Sequence, residues 1–244
     1  ELEAKEKLKE AAIEAKRANL AKTNFLRRMS HDIRTPLNGI VGMINLSERY
    51  ANDTDKLYEC KEKVLTSLDY LLSLINDILD MNKVESGTLV LENKPFNLID
   101  ILNKIIAITE TNCEQHNIQF FGGKDMSKII HRNFVGSGEY LNRLLMNIAS
   151  NAIKYNREDG SVTLYCTELS SDDTHALYEF VCKDTGLGMS EDFQKHAFEP
   201  FTCEGKPTTT GYNGTGLGLS IFKDIVEMMH GTIQMESKEN VGTT

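Results

Sequence analysis

FLRRMSHDIRTPLNGIVGM, from Phe25 to Met43, places one histidine on a helical stretch with an acid directly after it. A neutral imidazole is a nucleophile only while one ring nitrogen keeps its lone pair and the other holds the proton. A neighbouring carboxylate fixes that tautomer and steadies the charge that develops. Asp32 stands where His31 needs such a group, so the pair reads as an acceptor for a phosphoryl group; helix surfaces also carry His-Asp neighbours that are merely solvated. Pro36 lacks an N–H and loosens or bends the helix just past the pair.

Upstream, no helix breaker interrupts the chain from Glu1 to Pro36, and Leu8, Ala11, Ala15, Ala18, Phe25 and Met29 follow steps of three and four residues. At 1.5 Å per residue, a helix from Glu1 to about Tyr50 would run on the order of 70 Å, which calls for a partner helix; residues 1–22 read as a signalling coiled coil. Downstream, a turn near Asn52 to Asp55 reverses the chain. Leu57, Val64, Leu68, Leu71, Ile75 and Ile78 then give a second helix an apolar stripe, widened by Leu65, Leu72 and Leu79. Two helices cannot bury that stripe alone, whereas two copies of the hairpin make a four-helix bundle. Residues 23–86 therefore read as a helical-hairpin dimerisation domain.

Residues 87–244 read as a second domain. Glu85 to Pro95, with Gly87, is expected to form a short strand and linker. FNLIDILNKIIAITETNCEQHN then reads as a helix, NIQFF as a strand, Gly138 to Tyr155 as a helix, SVTLYCTEL and HALYEFVCK as antiparallel strands, and Leu217 to His230 as a third helix, with a final strand at Thr244. Helices segregated on one face of a mixed sheet make an α+β sandwich.

Three clusters on this domain carry chemistry. In NIASNAIKY, Asn147 and Asn151 share a helix face, so two neutral amide oxygens can meet a phosphate-bound magnesium without adding negative charge; the same pair would serve equally as surface amides. Lys154 and Tyr155 extend that face. In DTGLGM, Asp184 ends a strand and can accept from an exocyclic amine, while Gly186 and Gly188 permit a tight turn and close approach to a flat ring such as adenine. An ordinary Asp-Gly turn has the same letters. In GTGLGLSIFKDIV, Gly214, Gly216 and Gly218 leave backbone N–H groups to converge on phosphate oxygens at a helix N-terminus. No strand precedes this loop within a βαβ unit and no Walker lysine follows it, which argues against a dinucleotide fold and a P-loop.

With FEPF at Phe198 to Phe201, these motifs in this order resemble the H, N, first glycine, F and second glycine boxes of bacterial sensor histidine kinases, and the resemblance spans almost the whole chain. It implies that His31 is phosphorylated from Mg-ATP, that Asp32 activates it, and that Thr35 orients a water for the reverse, phosphatase reaction. It implies further that Asn151, with Asn147 nearby, binds magnesium, that Lys154 contacts phosphate, that Tyr155 lines the adenine pocket and that Asp184 reads the adenine amine. Gly186, Gly188, Met189, Phe198, Gly214, Thr215, Gly216, Leu217, Gly218 and Leu219 complete the expected ATP site. The partners it implies are a second copy of the chain, as a homodimer, and a response-regulator receiver domain whose aspartate takes the phosphoryl group. A gyrase-type ATPase shares the nucleotide fold but has no H box, and a dimeric scaffold that binds ATP without transfer is the remaining alternative.

That alternative rests on a departure in the lid, Thr202 to Asn213, expected to be mobile over the nucleotide. Family lids often carry a cation just before the second glycine box. Here Lys206 is the only one, so Lys154, loop amides, magnesium or Arg27, Arg28 and Arg34 are left to steady the transferring group. Composition fits a fragment of a cytoplasmic portion: a net charge of -9 and pI near 5.2 argue against nucleic-acid binding. Five cysteines, none closer than 16 residues to another, suggest neither a disulfide framework nor zinc. No stretch approaches the roughly 20 apolar residues of a membrane span, so the sensor and its membrane anchor are expected to lie outside this sequence. His116, His131, His175, His196 and His230 follow no partner pattern and read as structural or surface residues.

Overall fold

The computed structural model describes residues 23, 27, 29–123, 129–204 and 216–244, in two units, Glu1–Asn82 and Lys83–Thr244. The coiled-coil positions 1–22, Phe25, Arg28, the lid positions 205–213 with Lys206, and Gly214 and Thr215 lie outside the described residues.

In the first unit, helix α1 (29–49) continues through Pro36, whose ring is fully buried. A turn at residues 50–52 leads to α2 (Thr54–Glu85), started by Asp53. The Asp53 carboxylate accepts from the Lys56 N–H at 3.2 Å, which, with the Lys56 ammonium at 3.2 Å, holds its pKa below the usual range. Along α2 the buried and half-buried line is Leu57, Cys60, Val64, Ser67, Leu71, Leu74 and Ile78, at alternating steps of three and four. At its middle Gly39 of α1 meets Ser67, where an added Cβ would lie 3.7 Å from the hydroxyl oxygen. Leu74 is 0% exposed.

The apolar stripe expected on α2 is in fact two seams. Leu65, Leu68, Leu72, Ile75 and Leu79 form a second heptad line advanced by one residue, about 100° around the helix, and all five are exposed. Leu37, Val41 and Ile44 of α1 are exposed as well.

In the second unit, residues 88–93 carry no regular structure, so the strand expected within Glu85 to Pro95 falls later. It is β1 (Lys94–Asn97), which pairs antiparallel with β3 (Asn133–Gly136), a strand that the local sequence does not announce. Helix α3 (Leu98–Gln115) consequently starts at Leu98 and not at Phe96, capped by the Asn97 side chain, which accepts from the N–H groups of Ile99 at 2.9 Å and Asp100 at 3.3 Å. A three-stranded mixed sheet follows, ordered β2-β4-β5, with β2 (Gln119–Gly122) parallel to β4 (Ser161–Ser171) and β4 antiparallel to β5 (Ala176–Asp184). Helix α4 (Gly138–Lys154) precedes β4. The short α5 (Glu191–Gln194), α6 (Gly218–Met228) and a C-terminal pair, β6 (Ser237–Lys238) with β7 (Gly242–Thr243), complete the unit.

Both cores lie between α3, α4 and one face of that sheet, as a two-layer α+β sandwich requires. Leu98, Leu102, Ile105 and Leu145 pack with Ile129 against Leu164, Cys166, Tyr178 and Phe180. Cys113, Ile118, Ala152, Ile153 and Val162 pack against Phe120 and Cys182. Burial pushes the Cys113 thiol up to about 11 and those of Cys166 and Cys182 to about 12, so these three sulfurs behave as apolar filler. The approach to β3 is pinned by Glu168, whose side chain is only 5% exposed. It takes the His131 ring nitrogen at 2.7 Å, the N–H groups of Ile130 and His131 at 2.8 and 3.0 Å, and the Tyr178 hydroxyl at 3.0 Å. These donors, His131 first, hold its pKa down at about 2.

Candidate functional site

His31 lies on α1 with its ring 79% exposed, and Nδ1 sits 3.2 Å from Oδ1 of Asp32, whose side chain is 26% exposed. With the ring proton on Nδ1, directed at that carboxylate, Nε2 keeps its lone pair. One turn on, the Thr35 hydroxyl donates to the His31 carbonyl at 3.1 Å, which leaves its oxygen lone pairs to accept from a water. Arg27 and Arg34 are exposed.

The remaining expected residues belong to the second unit, where four stretches far apart in sequence are drawn together by backbone. Asn147 on α4 donates its side-chain N–H to the carbonyl of Gly218, at the first turn of α6, at 2.9 Å. A Cβ on Gly218 would come within 3.1 Å of that amide, so glycine is what lets the two helices meet there. The Asn147 oxygen accepts from Asn151 at 3.3 Å, and among the described residues the Asn151 oxygen accepts nothing. At the far end of α4, Lys154 lies over the Tyr155 ring, 5.4 Å from its centroid, and the Tyr155 carbonyl accepts from the Leu187 N–H at 2.9 Å.

Asp184 closes β5. Burial pushes its pKa up, against two bonds that pull it down: Oδ1 accepts from the Gly186 N–H at 2.8 Å and the Thr243 N–H at 3.3 Å. No described residue bonds Oδ2. Gly188 has φ of +60°, and a Cβ there would lie 2.0 Å from the Lys238 carbonyl oxygen, so this glycine admits protein backbone and not only a ligand ring. Met189 meets the Ser237 hydroxyl through its N–H at 2.9 Å. Half-buried Phe198 precedes Phe201, whose N–H donates to the Gly216 carbonyl at 2.8 Å. Leu217 is fully buried as the residue before α6, and Leu219 is half-buried within it.

Four of the other five histidines have ring partners, His116 with the Asn112 carbonyl, His131 with Glu168, His175 with Thr174 and His196 with Glu199. Sequence reasoning missed Thr243, Ser237 and Gln194, which hold the Asp184 turn from outside its motif. Gly242, with φ of +131° in the run VGTT, was the available signal. Among the described residues no cluster of three or more His, Cys, Asp or Glu side chains is placed to hold a metal, and no helix is long and apolar enough to cross a membrane. The asparagine face is neutral, which suits a cation carried in on phosphate oxygens and not one caged by the protein alone.

Two families match in sequence order. One described as His Kinase A (phospho-acceptor) domain matches residues 21–87, and one described as Histidine kinase-, DNA gyrase B-, and HSP90-like ATPase matches residues 136–244. The chain belongs to the histidine kinases. It carries a phosphoacceptor helical-hairpin domain followed by an ATPase-like domain, in the order that the motifs predict. The Autoinducer 2 sensor kinase/phosphatase LuxQ of Vibrio vulnificus is 33% identical over 233 residues, 95% of this chain and 27% of LuxQ. The Sensor protein GacS of Pseudomonas syringae is 35% identical over 236 residues, 94% of this chain and 25% of GacS. The chain thus spans about a quarter of the length of these relatives. Among solved structures, full-length ShkA in complex with AMPPNP is 26% identical with a TM-score of 0.59, covering 89% of this chain and 43% of ShkA. The histidine kinase AdeS of Acinetobacter baumannii shares the fold at 19% identity, TM-score 0.58, over 87% of this chain and 94% of AdeS.

Proposed function

We propose that this core autophosphorylates His31 from Mg-ATP and passes the phosphoryl group to an aspartate of a response regulator. The observation that carries the reading is the His31–Asp32 pair: an exposed ring whose Nδ1 is turned to a carboxylate at 3.2 Å, leaving Nε2 as the nucleophile. Nε2 attacks the γ-phosphorus; an N–P bond forms as the bond to the bridging oxygen breaks, and that electron pair leaves with ADP. The positive charge that develops on the ring is shared with Asp32 through Nδ1–H. Little covalent chemistry falls to the protein beyond in-line positioning and charge neutralisation.

In the second unit, Asp184 accepts from the adenine amine through Oδ2, and Tyr155, Gly186, Gly188 and Met189 line the ring. Gly214, Thr215, Gly216, Leu217, Gly218 and Leu219, with Lys154, contact the phosphates, and Phe198 belongs to the same nucleotide site. Asn151, with Asn147 beside it, would hold Mg2+ through its amide oxygen. When bound, that ion neutralises charge on the phosphate oxygens. Thr35 holds a water for dephosphorylation of the regulator.

The exposed seams of α1 and α2 support a homodimer joined as a four-helix bundle. Residues 1–22 carry the incoming signal, 23–86 make up the phosphotransfer domain and 87–244 the ATP-binding domain. A sensor domain and its membrane anchor stand upstream in the whole protein.

Incubation with γ-labelled ATP tests the reading. The label should be acid-labile and base-stable, as a phosphoramidate is, and His31→Gln should abolish it while sparing ATP binding. Acid-stable label, or full labelling of His31→Gln, would overturn the assignment.

A further inference from the structure

The turn from Asp184 to Met189 is tied to the C-terminal β6–β7 pair as well as to Ser161 and Tyr155. The Ser237 hydroxyl accepts from the Met189 N–H at 2.9 Å, donates to the Gly242 carbonyl at 3.1 Å and lies 2.8 Å from the Thr243 hydroxyl. One proton and two lone pairs are thereby all used. The Thr243 N–H in turn reaches Asp184 Oδ1 at 3.3 Å. A second tie runs alongside: Gln194 of α5 donates one amide nitrogen to the carbonyls of both Met189 and Ser237, each at 3.0 Å. A third joins the Asn240 N–H to the Leu187 carbonyl at 2.7 Å.

We propose that Ser237 is a positioning residue for adenine recognition, its hydroxyl closing a ring of hydrogen bonds from Asp184 through Thr243 and Ser237 to Met189. This rests on the reading of Asp184 as the group that meets the adenine amine. A carboxylate rotates over a broad, roughly two-fold torsional well. Two N–H donors on Oδ1 select one orientation, and the ring keeps the second of those donors in place. The orientation matters only to a base that presents an amine at that point. Guanine presents a carbonyl oxygen there, so a misdirected Asp184 costs ATP affinity and leaves GTP affinity where it was. Gln194 acts on the same turn through carbonyls in place of a hydroxyl.

Calorimetry on the 244-residue chain with Mg-ATP and Mg-GTP is the test. Ser237→Ala should weaken ATP about tenfold, about 1.4 kcal/mol, with GTP affinity unchanged within about twofold, and Ser237→Thr should restore the preference. In the labelling assay the KM for ATP should rise while kcat at saturating ATP stays within about threefold. Equal losses for both nucleotides, or none, overturn the proposal, because a merely structural serine would not discriminate between bases. Should Ser237→Ala fail to fold by thermal denaturation, Thr243→Val, which removes the hydroxyl partner within the ring, carries the same comparison: a lowered ATP-to-GTP ratio supports the ring and an unchanged ratio overturns it. Asp184→Asn separates the two levels. Unchanged ATP affinity in that variant defeats the adenine reading itself, whereas a loss there with none in Ser237→Ala defeats only the positioning role.

Discussion

Asn147 and Gly218, 71 residues apart, are joined at 2.9 Å by a side-chain N–H on one helix and a backbone carbonyl on the first turn of another. The bond fixes the start of α6 relative to the asparagine face. Asn147→Leu removes the donor while the carbonyl, at the head of α6, keeps the bond that helix geometry gives it, which should cost about 0.5 to 1.5 kcal/mol of stability. Thermal denaturation of the chain measures it, and ATP affinity should fall with it.

Asp32→Asn keeps an acceptor oxygen near Nδ1 but removes the charge that steadies the developing imidazolium. Labelling of His31 should slow on the order of a hundredfold, with ATP affinity held within a few-fold. Single-turnover labelling at saturating ATP separates the two quantities.

Thr35 already gives its proton to the His31 carbonyl, so its use in chemistry is as an acceptor. Phosphoryl transfer to His31 needs no water, whereas hydrolysis of a regulator's phospho-aspartate does. Thr35→Ala should therefore retain autophosphorylation within severalfold and lose phosphatase activity by about tenfold, about 1.4 kcal/mol of barrier. Equal losses in both assays would mean that the hydroxyl serves only the helix before Pro36.

Leu74, within α2, is fully enclosed at 0% exposure. Leu74→Ala should destabilise the first unit by about 2 to 5 kcal/mol, and Leu72→Ala, on the exposed seam of the same helix, by far less in the monomer. Urea unfolding at low protein concentration makes the comparison.

Glu168 supplies a pH dependence. Its pKa is lowered from 4.5 to about 2, so its contribution to stability is full above the unfolded value and is lost as pH falls from about 4.5 through 2. Melting temperatures between pH 6 and pH 3 should therefore fall more steeply for the wild type than for Glu168→Gln, which is less stable at neutral pH and has no such group to titrate.

His31, Asn147, Asn151 and Asp184 stand in local motifs, so their candidacy is read from residue types and spacing alone, whereas packing depends on partners far along the chain. On α2, Leu57, Val64, Leu71 and Ile78 obey the same period as Leu68 and Ile75, so periodicity gives the wide stripe but not which of its two neighbouring seams faces inward within one chain. Cys60, Ser67 and Leu74 were lost with that ambiguity. Strand β1 was misplaced because KPFN is short, contains Pro95 and owes its conformation to β3, some forty residues on. The role of Gly188 was half visible: its freedom of φ could be read, but the carbonyl of Lys238 that needs the space comes from the far end of the chain.

The two seams of α2 also make the stability of the hairpin a quantity without a single value. The inner line is satisfied within one chain, but Leu65, Leu68, Leu72, Ile75 and Leu79 stand in water until something covers them. Whatever binds there only in the folded state adds RT ln(1 + [L]/Kd) to the free energy of unfolding. A second hairpin acting as that ligand makes the melting temperature climb with the concentration of the chain itself. Any signal that loosens the seam then acts through mass action, shifting how much folded hairpin exists as well as how it is arranged.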